Sequence, residues 1–169
     1  MKFHPKKCNV MRITRSKTPL TCMYTLCQHT LEEVNNVKEY LGVTINNQLS
    51  LTPHIQSVCN KANATLGFLR RNLKSCPQQL KEQAYISLVR SVVEYASVTW
   101  SPHQKKDIKP IQRIQKRAAR FVMHNYSKDG SVSQMLSELG WAKLEDRRRD
   151  LRLTMLFKII HGEVEVPTR

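Results

Sequence analysis

Two periodicities divide the chain. Up to about residue 48 apolar positions alternate with polar ones, as in strands; beyond it they recur at helical spacing. Cys8-Asn9-Val10-Met11-Arg12-Ile13 alternates as a half-buried strand does. Ser16-Lys17-Thr18-Pro19 breaks it, and Thr21 to Leu26 is expected to return as its partner. Val37 to Ile45 supplies a third short strand, with Asn46-Asn47 closing it as a turn. A small antiparallel sheet of this size is too slight to stand comfortably alone.

From Ser50 the pattern becomes helical. Thr52-Pro53 reads as an N-cap followed by a first-turn proline. Ile55, Val58, Cys59, Ala62, Leu66, Leu69 and Leu73 then share one stripe. Cys76-Pro77 ends this helix and opens a second, whose expected core stripe is Leu80, Ala84, Leu88, Val92 and Tyr95, running on toward Trp100. A third helix is expected over Asp107 to His124, with Ile108, Ile111, Ile114, Ala118, Phe121 and Val122 inward and Pro110 tolerated in its first turn. Ser127 to Gly130 reads as a loop and Val132 to Leu139 as a short helix ended by Gly140. A last helix, Lys143 to His161, is expected to bury Leu144, Leu151, Met155, Leu156 and Ile159 before Gly162 closes it. Tyr85, Tyr95, Trp100 and Phe121 lie on or near these stripes and are expected in the core. The fold class is therefore α+β, mostly α: a small antiparallel sheet or hairpin, then a bundle of four to five helices. Residues 1–48, 49–128 and 129–169 read as the sheet region, a basic helical bundle and a C-terminal helical segment.

Charge sharpens this picture. The net charge is +15 over 169 residues. Residues 61–128 hold 14 basic and 3 acidic side chains, whereas 129–169 hold 7 of each. So concentrated a field points to a polyanion, because a basic surface gains affinity by releasing counterions from phosphates. The cations fall outside the apolar stripes: Lys61, Arg70, Arg71 and Lys74 on and just after the first helix, and Arg113, Lys116, Arg117 and Arg120 on the third. Arg147-Arg148-Arg149 is flanked by Glu145, Asp146 and Asp150 and reads as an ion-paired helix face.

Several chemistries lack their residues. Two-metal nucleotidyl transfer needs closely placed carboxylates, yet there are only four Asp, beginning at Asp107, and no two are adjacent. Neither a G-x-S-x-G elbow nor a G-x-x-x-x-G-K loop occurs, and the six His are dispersed. Cys22, Cys27 and His29 lie close together but want a fourth ligand for tetrahedral zinc. The five Cys, odd in number and scattered, read as idle or buried thiols. No apolar run approaches the roughly 20 residues that span a bilayer, and Met1-Lys2-Phe3-His4-Pro5-Lys6-Lys7 has no apolar core of a signal peptide. An intracellular protein of cytoplasm or nucleus, not secreted and without membrane partners, is the expectation.

The order of segments resembles the end of the reverse transcriptase of non-LTR retrotransposons, from just after the catalytic acidic loop through the thumb. Phe3-His4-Pro5-Lys6-Lys7-Cys8 is similar to the family's lysine motif, with His4 where the family often has Asn. Tyr40-Leu41-Gly42-Val43 resembles the primer-grip hairpin. The series continues through Lys61-Ala62-Asn63-Ala64-Thr65-Leu66-Gly67-Phe68-Leu69-Arg70-Arg71, Lys81-Glu82-Gln83-Ala84-Tyr85, Glu94-Tyr95-Ala96-Ser97 and Gln115-Lys116-Arg117-Ala118-Ala119-Arg120-Phe121. The resemblance implies that Lys7 matches the lysine assisting departure of pyrophosphate, and that Leu41, Gly42 and Val43 sit against the primer backbone. Without the downstream matches, Leu41-Gly42-Val43 reads equally well as an ordinary hairpin corner.

The expected function is thus that of a fragment of an RNA-directed DNA polymerase. It would grip an RNA–DNA hybrid or other duplex through backbone contacts, with little sequence specificity. Its natural complement is the absent palm and fingers of the parent polymerase, and apolar surface that packs on the palm in the family is expected to be bare. The parent would use Mg2+; this chain, without the metal-binding acids, is expected to hold no cofactor and to be no enzyme as it stands. The alternative is a stand-alone helical nucleic-acid-binding or protein-interaction module derived from a retroelement.

Overall fold

The computed structural model describes residues 4–18, 20, 22–127 and 130–166, with residues 36–40 described by their backbone alone. Phe3 of the lysine motif, Pro19, Thr21 and positions 128–129 of the loop lie outside the described residues. The architecture is mostly α with small two-stranded sheets first, and the chain divides into two compact units, Met1–His54 and Ile55–Arg169.

In the first unit a 3-10 turn at Pro5–Lys7 precedes six short strands among the described residues. β1 (Asn9–Val10) pairs in parallel with β4 (Glu32–Glu33), where Arg12 and Glu33 meet at 2.9 Å. β2 (Thr25–Leu26) pairs with β3 (His29–Thr30) across a tight turn at Cys27-Gln28, both with positive φ. The expected pairing of the first strand with the segment at Thr25–Leu26 is therefore not formed. That segment satisfies its backbone locally, because a two-residue turn closes more cheaply than a long excursion. β5 (Asn36–Tyr40) and β6 (Val43–Asn46) are antiparallel, so the single strand that alternation suggests from Val37 to Ile45 is instead a hairpin, as expected at Tyr40-Leu41-Gly42-Val43. Its corner is Leu41 (φ 50°) and Gly42 (φ 78°), the paired positive φ values of a turn that follows strand twist.

The helical unit begins within α1 (Thr52–Asn72), whose Ile55, Cys59, Ala62, Leu66 and Leu69 are buried as their spacing predicts. The second rod differs from expectation in phase and in continuity. It consists of α2 (Gln78–Tyr85), a π turn at Ile86–Arg90 and α3 (Ser91–Glu94). It buries Lys81, Tyr85, Val89 and Val93, one position on from the expected stripe; Leu80, Leu88 and Tyr95 are exposed. Tyr85 decides the phase. It stacks on Trp141 at 4.4 Å between centroids, and the Trp141 indole N–H donates to Glu82 Oε1 at 2.8 Å. Lys81 lies with its ammonium over the Phe121 ring at 5.7 Å, its stem inside. The rod stops at Ala96, in the left-handed region, and α4 (Ser97–Trp100) follows.

α5 (Lys105–Val122) starts two residues earlier than expected, which moves Pro110 from the first turn into the second. α6 (Val132–Glu138) is capped by the Ser131 hydroxyl accepting from the Gln134 N–H. α7 (Leu144–Ile160) buries Leu144 and Arg148, but Leu151, Met155, Leu156 and Ile159 are exposed, against expectation. Its second half is apolar around about two-thirds of its circumference, Thr154 and Lys158 holding the rest, with Leu153, Phe157 and Ile160 exposed as well, so spacing selects no single narrow face. α5 is held to the start of α7 by Gln115, which donates to the Ala142 carbonyl at 2.8 Å and accepts from the Leu144 N–H at 3.2 Å. No helix of the described residues is long and apolar enough to cross a membrane.

Two buried polar groups give measurable stability effects. Replacing Gln115 by Ala leaves the buried Leu144 N–H unmatched and returns the part-buried Ala142 carbonyl to solvent, and should lower unfolding free energy in urea by about 1 to 3 kcal/mol; an unchanged midpoint would show that the clamp contributes nothing. His54 accepts a hydrogen bond on Nδ1 from the Thr44 N–H at 3.2 Å, and burial lowers its pKa from 6.5. A base with a depressed folded pKa destabilises the fold when the unfolded chain protonates. Stability should therefore fall as pH drops below about 6.5, and His54→Asn, which retains an acceptor, should flatten that dependence between pH 7 and 5.

Candidate nucleic-acid interface

The polar face of α5 follows from its spacing: Lys109, Arg113, Lys116, Arg117 and Arg120 recur three and four residues apart, opposite Ile111, Ile114, Ala118 and Val122. Arg113, Lys116 and Arg117 are exposed, and Arg120 is half-buried with its Nε unmatched inside. Arg117 reaches α1, donating to Asn63 Oδ1 at 3.0 Å. Lys116 turns the other way, toward a second cavity of about 240 Å³ shared with Lys143 and Glu145.

Beyond Asn63 the two helix ends enclose a cavity of about 390 Å³. α1 lines one wall with Gly67, Arg70 and Arg71, and Lys74 follows just past its end. Phe121, His124 and Tyr126 form the other wall. The Arg70 guanidinium lies over the Tyr126 ring at 5.4 Å, and His124 meets that ring edge-on at 5.9 Å. Among the described residues neither Arg70, Arg71 nor Lys74 has an ion pair, and no acid lines the cavity.

The acids are engaged elsewhere. Glu94 holds Arg147 through two hydrogen bonds, one of 3.1 Å between Arg147 Nη2 and Glu94 Oε2; Arg149 approaches Asp146 and Asp150 at 3.5 and 3.4 Å. The ion-paired reading of this arginine run thus fits Arg147 and Arg149. Arg148 departs from it, being 2% exposed beside Ser101 and Pro102, where burial depresses its pKa.

The remaining sequence-derived candidates are placed apart. Lys61 is exposed on α1 but lies nine residues before Arg70, about two and a half turns, and so faces away from the cavity. Lys7 is exposed in the 3-10 turn of the first unit; Leu41 and Gly42 are exposed at the hairpin corner, while Val43 is buried and its side chain is closed to a ligand. Among the described residues no group of three or more His, Cys, Asp or Glu could hold a metal ion, and Cys59, the buried thiol, is pushed up in pKa by that burial.

Sequence reasoning passed over His124, Tyr126 and Gly67. A signal for the first existed. α5, α6 and α7 end in the same double hydrogen bond, for α5 Asn125 N–H to Arg120 O and His124 N–H to Phe121 O. At the left-handed position α6 has Gly140 and α7 has Gly162, but α5 has His124 (φ 51°). Comparison with family models, curated proteins and solved structures finds no match to this chain.

The left-handed conformation is strained for a residue with a Cβ. His124→Gly should therefore raise unfolding free energy by about 1 kcal/mol, read as a higher urea midpoint with unchanged slope. A lower midpoint would mean that the imidazole contacts outweigh that strain.

Proposed function

We propose that this chain is the palm-end and thumb portion of a non-LTR-type reverse transcriptase, gripping duplex primer–template through its sugar-phosphate backbone. The observation that carries the reading is the set of cations on α1 and α5 that have no ion pair among the described residues, with Arg117 tied to Asn63 between them. Cations spread along helices, without an arginine fork aimed into a groove, suit phosphates more than base edges. The exposed, positively twisted corner at Leu41-Gly42 suits close approach of a primer strand, since glycine there admits a second backbone. Carboxylates that would hold Mg2+ in the parent polymerase have no counterpart in this sequence, and the proposed role is binding without a catalytic step. The compartment that fits is intracellular.

A second reading, an independent retroelement-derived module that binds nucleic acid or protein, is favoured by one observation. The second half of α7 carries exposed Leu153, Leu156, Phe157 and Ile160.

Duplex binding by the full chain is expected to be weak, with Kd of roughly 10⁻⁴ to 10⁻⁶ M, and steeply salt-dependent. Reversing Arg113, Lys116, Arg117 and Arg120 to Glu should abolish it, and partial reversals should reduce the salt slope by about 0.9 for each phosphate no longer neutralised. Binding that survives the fourfold reversal places the interface elsewhere. Robust metal-dependent primer extension by the purified chain overturns the non-enzymatic part of the proposal.

A further inference from the structure

The cavity between the ends of α1 and α5 contains more than a backbone-gripping surface requires. Phosphates of a duplex need cations; they have no use for exposed rings, because paired bases are stacked inside the helix and present only their edges. Yet the wall facing Arg70, Arg71 and Lys74 carries Tyr126, 47% exposed, and His124, also exposed. One face of the Tyr126 ring is covered by the Arg70 guanidinium. Rings and guanidinium planes beside a cationic groove are the elements on which unpaired bases stack.

Two local choices at this place oppose the stability of the fold. Gly67 sits in the interior of α1, where glycine is unfavourable by about 1 kcal/mol relative to Ala. Packing does not demand it: a Cβ there would meet only Arg71 Nη1, at an ordinary 3.6 Å. Its absence keeps the cavity floor open. His124 holds a left-handed conformation that the equivalent ends of α6 and α7 give to glycine. Unfavourable local choices gather at functional sites, and these two line the same space. The volume of about 390 Å³ falls within the range of small-ligand sites.

We propose that this cavity holds one unpaired nucleotide of a strand, its phosphate on Arg70, Arg71 and Lys74 and its base against the Tyr126 and His124 rings. The inference rests on the nucleic-acid reading and deepens it: the duplex is gripped along α5, and an unpaired nucleotide beside the duplex enters the cavity. Single-strand recognition of this kind tolerates any base, since each offers a π face.

The test compares three labelled duplexes by fluorescence anisotropy with the full chain: blunt, with a single-nucleotide overhang, and with an abasic overhang carrying the same phosphate. The base-bearing overhang should bind about 5- to 150-fold more tightly than the abasic one. Gly67→Leu fills the floor without altering charge, and Tyr126→Leu removes a half-exposed ring; each should bring the ratio of the two affinities close to one. Because the readout is a ratio within one protein, a variant that unfolds loses both affinities and is distinguished from one that loses the base alone. Equal affinity of the wild-type chain for base-bearing and abasic overhangs overturns the proposal, as does a ratio that both variants retain. If blunt duplex is not bound at all, the duplex-grip reading falls separately. The cavity is then judged by single-stranded oligonucleotides with and without an abasic site, where an absent preference overturns it.

Discussion

Gln115 fixes the helical unit. Its amide lies inside, on the buried face of a helix whose other face is almost wholly cationic, and it matches both the Ala142 carbonyl and the Leu144 N–H. Those two groups belong to the link into α7, where the Leu144 N–H is buried and would otherwise lack a partner. Once the link is fixed, Trp141 is held against Tyr85, and Arg147 within reach of Glu94. Three elements are thereby oriented against α5 by one neutral side chain. An amide suits the place because the site offers one donor and one acceptor, and an amide supplies the complement of both.

Much of the helical architecture was legible, and the points where it was not share a cause. In the second rod, Leu80, Ala84, Leu88 and Val92 and the set Lys81, Tyr85, Val89 and Val93 are both regular at four-residue spacing, one position apart. Polarity favours the first set because it contains no lysine. The structure takes the second, since Tyr85 can stack on Trp141 and Lys81 can bury its stem while its ammonium meets a ring. The deciding partners lie 56 and 40 positions away, beyond any local window. In α7 the difficulty is different: Leu151, Leu153, Met155, Leu156 and Phe157 spread apolar residues over most of the circumference, so spacing records a capacity to pack without naming a narrow face.

The candidate site was legible in its charges and illegible in its shape. Arg70, Arg71 and Lys74 stand out from composition, but what encloses them arrives from the far end of α5, 50 residues on. His124 and Tyr126 belong to no stripe because they follow the last turn of a helix. The departure visible in sequence was the missing glycine after Val122, where the corresponding positions after Glu138 and Ile160 are followed by Gly140 and Gly162. A missing residue is a weak signal until helix ends can be superposed.

The cations themselves divide by what they do for the fold. Arg70 and Arg71 stand in the last turn of α1 and Arg120 in the last turn of α5, where the helix dipole favours positive charge by about 0.3 to 1 kcal/mol. Their presence therefore has a reason without any ligand. Arg113, Lys116 and Arg117 have no such reason: they are mid-helix, exposed, and spaced so that like charges meet, which costs about 0.2 to 0.5 kcal/mol per pair. Of these three, Arg117 is tied to a neutral asparagine. Arg147 and Arg149 show what this chain does with arginines that serve the fold, supplying each with a carboxylate. A row of cations without ion pairs among the described residues, on a helix already secured through its opposite face, costs stability locally and leaves its charges to solvent and salt. The mid-helix row, more than the net charge of +15, is thus what supports the proposed polyanionic partner.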